Sequence, residues 1–375
     1  MMNRRHFLQA TAATALVGGL LPPLRALALS SSSLYLGARV DAKGKGFVSA
    51  FDDEGQSSFD LALPARGHGF AQRPGRPEEI VAFGRRPGRF MVVADVRSGK
   101  LLHTVEAIEN RRYCGHGAFD PAGRLLHVTE LEYDTGDGVI GVYDAADGYA
   151  RVGEFRSGGL DPHEIRLLPD GETLVVANGG ILTDPDAPGI NLNIDEMDSS
   201  LAYLRLHDGA QLATAKLPNE LFQLSLRHLA IAPDGMVAVV MQYEGPSSDQ
   251  VPLVALNRPG EKLTTLDLPP RVLSRLRNYC GSAAFDASGK VLATTSPVGG
   301  VTVLWDTAAG HCLGYAEIAD GCGLAPASED GRFIVTSGQG GGYLVTSSEA
   351  EVSRQPIGSK FLADGRWDNH MLRLI

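Results

Sequence analysis

One phrase constrains this chain more than any other. Tyr113-Cys114-Gly115-His116-Gly117-Ala118-Phe119-Asp120-Pro121-Ala122-Gly123 returns as Tyr279-Cys280-Gly281-Ser282-Ala283-Ala284-Phe285-Asp286-Ala287-Ser288-Gly289. Shorter relatives run from Pro162 to Gly171 and from Arg227 to Gly235, and weaker copies from Gly67 to Gly75 and from Cys322 to Gly331. After each turn glycine comes an alternating apolar run, such as Leu125–Val128, Thr173–Ala177, Val237–Val240, Val291–Thr294 or Phe333–Thr336. A second β-rich run and an Asp/Gly turn follow. Four short strands in each stretch of roughly 40–50 residues is the pattern of a β-propeller blade.

Counting copies gives the number of blades. Inner strands are expected to begin near His68, His116, His163, His228, Ser282, Gly323 and His370. The last copy, Trp367–Ile375, contains one strand only, while Leu34-Tyr35-Leu36 opens a set of strands that lacks an inner one. Pairing the two makes a composite blade and leaves no free sheet edge, which protects against edge-to-edge aggregation. The expected fold is therefore all-β, a seven-bladed β-propeller with a composite blade closed by the C-terminal strand. It forms a single domain over residues 29–375, with an insertion at Asn178–Ser200. Glycine supplies 45 of 375 residues, which agrees with many tight turns and little helix. The net charge of −10 argues against a nucleic-acid backbone as partner.

The N-terminus carries a different signal. Arg4-Arg5-His6-Phe7-Leu8 precedes an apolar run from Ala10 to Leu21, and Ala26-Leu27-Ala28 follows. Paired arginines, a short apolar stretch and a small-x-small site are the parts of a twin-arginine signal peptide, expected over residues 1–28. The apolar run is too short for a typical ~20-residue membrane helix. Cleavage would leave a soluble periplasmic protein with no stable membrane span, expected as a monomer. Cys114, Cys280, Cys312 and Cys322 are too few for a disulfide scaffold. An oxidising compartment permits a bridge, and the spacing assigns none.

Histidine is the candidate chemistry. His68, His116, His163, His228 and His370 all fall at inner-strand starts, so residues far apart in sequence should converge at one mouth of the central channel. Only His163 sits one residue out of step, which places it on a bulge or in another register. Ser282 takes the position in the sixth blade, and Cys322 or Gly323 lies near it in the seventh. Gly-His pairs in repeat propellers can instead hold turns together inside one blade. Here the partners of such a network are missing, since only Trp305-Asp306 resembles the usual dipeptide and its blade has Ser282. Shared metal ligation is the favoured reading, because neutral imidazole binds iron, copper, zinc and nickel. Cys322 is a further possible ligand, though a buried structural role suits it better. The loop acids Glu130, Glu132, Asp134 and Asp137 read first as solvated surface. Arg66, Arg112, Arg227, Arg277 and Arg366 precede inner strands and are placed to hold an anion or the carboxylates of a chelate.

The motifs Arg66-Gly67-His68-Gly69, Cys114-Gly115-His116-Gly117, Pro162-His163-Glu164, Leu226-Arg227-His228-Leu229-Ala230, Gly321-Cys322-Gly323 and Trp367-Asp368-Asn369-His370 together resemble a known family. It is one of uncharacterised bacterial propellers exported by the twin-arginine route, a domain of unknown function. Its genes tend to lie beside imelysin-type and other iron-regulated proteins. The resemblance implies an iron-related periplasmic setting and no established reaction. The expected function is metal binding in iron acquisition or handling, with iron the first choice of ion and copper the second. Binding should weaken as the imidazoles protonate below about pH 6. The expected partners are a metal ion or metal chelate and other periplasmic iron-uptake proteins. Two alternatives remain: an interaction scaffold with structural histidines, and a propeller enzyme, either a metal-dependent oxidoreductase or a lactonase-like hydrolase. Binding is favoured over catalysis.

Overall fold

The structure is a computed structural model that describes residues 33–86, 88–183, 190–348 and 351–374. The expected signal peptide over 1–28 lies outside the described residues. Among those described, the strands form seven four-stranded antiparallel sheets. Their inner strands are Gly67–Arg73, Arg111–Phe119, Pro162–Leu167, Leu224–Ile231, Ser282–Phe285, Gly321–Pro326 and Arg366–Leu374. Each touches the next in that cyclic order, so the sheets close into a seven-bladed propeller. The composite blade is present as expected. Arg366–Leu374 pairs with Leu34–Val40, in the register Leu34↔Leu374, Tyr35↔Arg373 and Leu36↔Leu372.

The repeated phrase forms the turn from a first strand into a second. Asp120 Oδ1 accepts hydrogen bonds from the backbone N–H of Arg124 (2.7 Å) and of Leu125 (3.1 Å). Asp286 does the same for Val291 N–H (3.1 Å). Gly123 and Gly289 close these turns at φ of 65° and 71°, where a side chain would be strained. Asp286 also accepts from Gly331 N–H in the following blade (3.0 Å), which ties neighbouring blades together.

The core is not central. It consists of apolar layers between adjacent blades, because each sheet is apolar on both faces and packs against its neighbours. Phe83, Met91, Tyr113, Leu126 and Tyr143 fill one such layer. Tyr35, Phe51, Cys322, Leu362 and Trp367 fill the layer beside the composite blade. Fully burying side chains of this size stabilises by about 1.5–3 kcal/mol each. Trp305 is fully buried and donates its Nε1–H to Thr294 Oγ1 (3.1 Å) within its own sheet. All four cysteines are unbridged. No helix among the described residues is long and apolar enough to cross a membrane.

Two details differ from the sequence expectation. Inner strands were expected to open at the histidines, yet Arg111–Phe119, Leu224–Ile231 and Arg366–Leu374 begin four or five residues earlier. Pairing continues upstream and is interrupted at the histidine by a β-bulge. The second difference is that the bulge is not peculiar to His163. Register shifts fall at Gly67/Phe70, Tyr113/Gly117, Pro162/Glu164 and Leu226/His228, opposite Gly37/Arg39 for His370, and also at Gly321/Leu324 in the strand that carries Cys322 and no histidine. The strand bearing Ser282 is regular.

Candidate metal centre

A bulge inserts an extra residue and re-aims the side chains around it. Here five bulges turn five imidazoles toward the propeller axis, where all are buried. Ring centroids lie 4.2 Å apart for His228 and His370, and 4.6 Å apart for His68 and His370, His116 and His370, and His163 and His228. The remaining measured pairs lie between 5.0 and 6.0 Å. The five histidines therefore form one cluster, not five blade-internal contacts.

Glycines make the approach possible. A Cβ on Gly69 would stand 2.4 Å from Gly115 O and 2.7 Å from His116 Nδ1, and one on Gly115 would stand 2.7 Å from the His68 ring. The backbone is also bent to purpose at two non-glycine positions. Asp161 and His370 have φ of 54° and 70°, a region that costs a non-glycine residue about 1–2 kcal/mol. Such conformations persist where the surroundings over-determine them. His370 is held in part by Ser282, whose Oγ accepts its backbone N–H (3.2 Å). The blade without a histidine thus supports the strand of another.

Glu164 joins the cluster, a residue that sequence reasoning did not select. It is fully buried, and its Oε2 lies 3.2 Å from His228 Nδ1 and 3.9 Å from His116 Nδ1. The same oxygen accepts Leu229 N–H (3.2 Å), and Oε1 accepts from Arg166 (2.6 Å). Burial opposes its ionisation, but Arg166 and His228 hold it well below the usual carboxylate range. Strand alternation sends neighbours to opposite faces, which would have turned Glu164 away from His163. The bulge at His163 breaks that alternation.

Two sets of donor atoms lie within 4.8 Å of one another: His116, Glu164, His228 and His370 in one, and His68, His163 and His228 in the other. Ligands on a first-row ion with bonds of about 2.0–2.2 Å are at most about 4.4 Å apart, so small inward shifts suffice. Hydrogen bonds distinguish the rings further. Glu164 can only accept, so His228 donates Nδ1–H to it and keeps a lone pair on Nε2. His163 is the reverse. Its Nδ1 faces Arg227 (3.2 Å) and Arg86 (3.3 Å), which can only donate, so its ring proton is on Nε2. That leaves a protonated, buried His163 Nε2 without an acceptor and makes His163 a poor ligand. His116 Nε2 and His370 Nε2 are buried and have no hydrogen-bond partner.

Burial, and then the neighbouring rings, push His116 and His370 well below the ordinary histidine value. His163 is lowered in the same direction by burial, His228 and Arg227. Burial lowers His228 to about 4, although Glu164 works against it. These rings are neutral at pH 7, the form that binds metals. The protonation expected near pH 6 moves down accordingly.

The remaining candidates are placed as follows. Cys322 belongs to neither donor set. Its thiol donates to Trp367 O (3.2 Å), and burial pushes its pKa up, so it stays protonated. Asp368 Oδ1 lies 3.6 Å from His68 Nδ1, and Asp368 also receives Arg66 (2.5 Å) and Arg85 (2.9 Å). Asp161 pairs with Arg86, and with Arg227 at 3.0 Å. Glu130 is buried and engaged by Tyr143 (2.6 Å) and Arg151 (2.9 Å), so it is not a surface acid. A hydrolase of the lactonase type would need several free carboxylates at the axis. Glu164 is there, but guanidiniums neutralise Asp161 and Asp368. Above the histidines, a cavity of about 230 Å³ reaches His68, His163 and His228. It shares Arg85, Gln242, Tyr279 and Asn369 with a wide outer basin of about 1280 Å³.

Fold and geometry define the class: a seven-bladed propeller with a buried His/Glu cluster on its axis. By sequence, the chain belongs to the family described as "protein of unknown function (DUF1513)", whose profile matches residues 61–374. The comparison with curated proteins gives no match. Among solved structures, a chain of Kuenenia stuttgartiensis hydrazine synthase is similar at 13% identity and a TM-score of 0.59. The match covers 84% of this chain and 92% of that one. A chain of a nidogen/laminin complex is similar at 16% identity and a TM-score of 0.50, over 76% of this chain and 92% of that one. Both likenesses concern the fold.

Proposed function

We propose that this protein binds one transition-metal ion on the propeller axis. His116, His228, His370 and Glu164 supply the donors, and His68 and His163 complete the surround. The observation that carries this reading is the pair of buried, unpartnered nitrogens His116 Nε2 and His370 Nε2 beside an ionised buried carboxylate. A buried polar atom left unsatisfied costs about 1–3 kcal/mol, and an ion at the centre would satisfy several at once. Three nitrogens with one carboxylate and no thiolate suit Fe(II), with Cu(II) second. The proposed role is capture or transfer of iron in the periplasm after export by the twin-arginine route. Other iron-uptake proteins are the partners in that role.

The test is metal analysis of protein purified after native export, with anaerobic Fe(II) and Cu(II) titration against a chromophoric chelator. One ion per chain is expected, with binding at least tenfold weaker in a His116→Ala/His228→Ala variant. Failure to retain either ion overturns the reading.

A second reading has its own observation. Glu164 bridges to His228 and to Leu229 N–H across a blade boundary, as a purely structural staple would. In that case the double variant would lose thermal stability while the wild type binds no metal.

A further inference from the structure

Positive charge is in surplus beneath the channel mouth. Two buried carboxylates each face a pair of guanidiniums: Asp161 with Arg86 and Arg227, and Asp368 with Arg66 and Arg85. Arg227 also approaches Glu244 (3.7 Å), a carboxyl that burial pushes up, and even counted as charged it leaves four guanidiniums facing three carboxylates. Three of these guanidiniums, Arg85, Arg86 and Arg227, wall the cavity of about 230 Å³, and no carboxylate lines it among the described residues. Arg86 Nε and Arg227 Nε are buried without a hydrogen-bond partner, and Arg227 as a whole is only 8% exposed. Unmet buried donors on under-compensated cations call for an acceptor with negative charge.

Shape narrows the choice. At about 30 Å³ per water, the cavity of about 230 Å³ holds roughly eight waters' worth of matter. That is room for a carbonate with its waters, or for one carboxylate arm of a larger anion. A guanidinium fork matches two coplanar oxygens, which favours a planar oxyanion. We infer that the inner cavity is a binding site for a carboxylate- or carbonate-type anion, held by Arg85, Arg86 and Arg227 against His68, His163 and His228. The anion is either dissolved bicarbonate or one arm of a larger polycarboxylate whose body occupies the outer basin beside Arg66, Arg277 and Arg366. The inference stands on charge and cavity, independently of whether an ion binds. Where one does, the anion abuts the donor cluster and can complete its coordination.

The experiment uses the full mature chain, stripped of metal on chelating resin, in degassed chloride buffer of constant ionic strength. ¹³C-bicarbonate is titrated by NMR and citrate by calorimetry. Saturable binding of at least one probe is expected. Bicarbonate alone identifies the free anion as the source, and much tighter citrate binding identifies a chelate arm. Arg227→Lys keeps the charge and loses the fork, and should weaken binding at least tenfold. Arg85→Gln, at a half-exposed position, should weaken it several-fold and carries the test if the first variant does not fold. Absence of saturable binding by either probe, or affinity unchanged in the folded variants, overturns the inference. A parallel Fe(II) titration separates the two readings: metal bound without anion sinks this one alone, and anion bound without metal sinks the other alone.

Discussion

At the scale of single residues, Glu164 is the most instructive. It touches two imidazoles and a backbone N–H of the neighbouring blade, and Arg166 keeps it charged. Glu164→Gln preserves its shape and removes its charge. Metal affinity should fall by about 10–100-fold, as for loss of a carboxylate that orients a ligating histidine, and a competition titration will read it. Because Glu164 is also a proposed donor, the loss should lie at the upper end. The five histidines were legible because each stands in a recurring phrase. Glu164, Arg85, Arg86 and Asp161 were not. Their positions depend on a bulge, on a connecting loop and on a left-handed backbone, none of which leaves a periodic trace. Arg227 and His228 illustrate the limit, since adjacent residues in a regular strand would not both face one axis.

At the scale of elements, the repeat predicted the turns and the strand order, because Asp and Gly requirements are local. It misplaced the starts of three inner strands, because where pairing begins depends on the partner strand. Asp286 tests the element without touching the site. It accepts from Val291 N–H, from Ser288 and from Gly331 N–H of the next blade. Asp286→Ala strands those donors at a buried position and should cost about 2–3 kcal/mol by equilibrium denaturation. Metal stoichiometry should be unchanged, since the strand bearing Ser282 carries no proposed donor. Loss of both stability and metal together would mean that turns and cluster are coupled.

At the scale of the whole molecule, the buried imidazoles set the acid limit of stability. His116, His163 and His370 are depressed in the folded state, and His228 is lowered to about 4, against about 6.5 when unfolded. Between those values the unfolded chain binds more protons, so stability falls as pH drops below about 6.5. Each histidine contributes a slope of up to about 1.4 kcal/mol per pH unit. The paired carboxylates Asp161, Glu164 and Asp368, all depressed, add their loss only at lower pH. Urea denaturation of the metal-free protein should show a steep decline from pH 6.5 to 4.5, one that a bound ion shifts to lower pH. A flat profile down to pH 5 would contradict the neutral buried cluster.

The closing strand has one more consequence. His370 reaches the axis on Arg366–Leu374, whose partner, Leu34–Val40, lies at the other end of the chain. The cluster is therefore incomplete until Arg366–Leu374 has been made and has paired with Leu34–Val40. A chain clipped before Arg366 lacks His370 and the strand that closes the ring. Completion of the pocket thus acts as a check that both closing strands are present and paired.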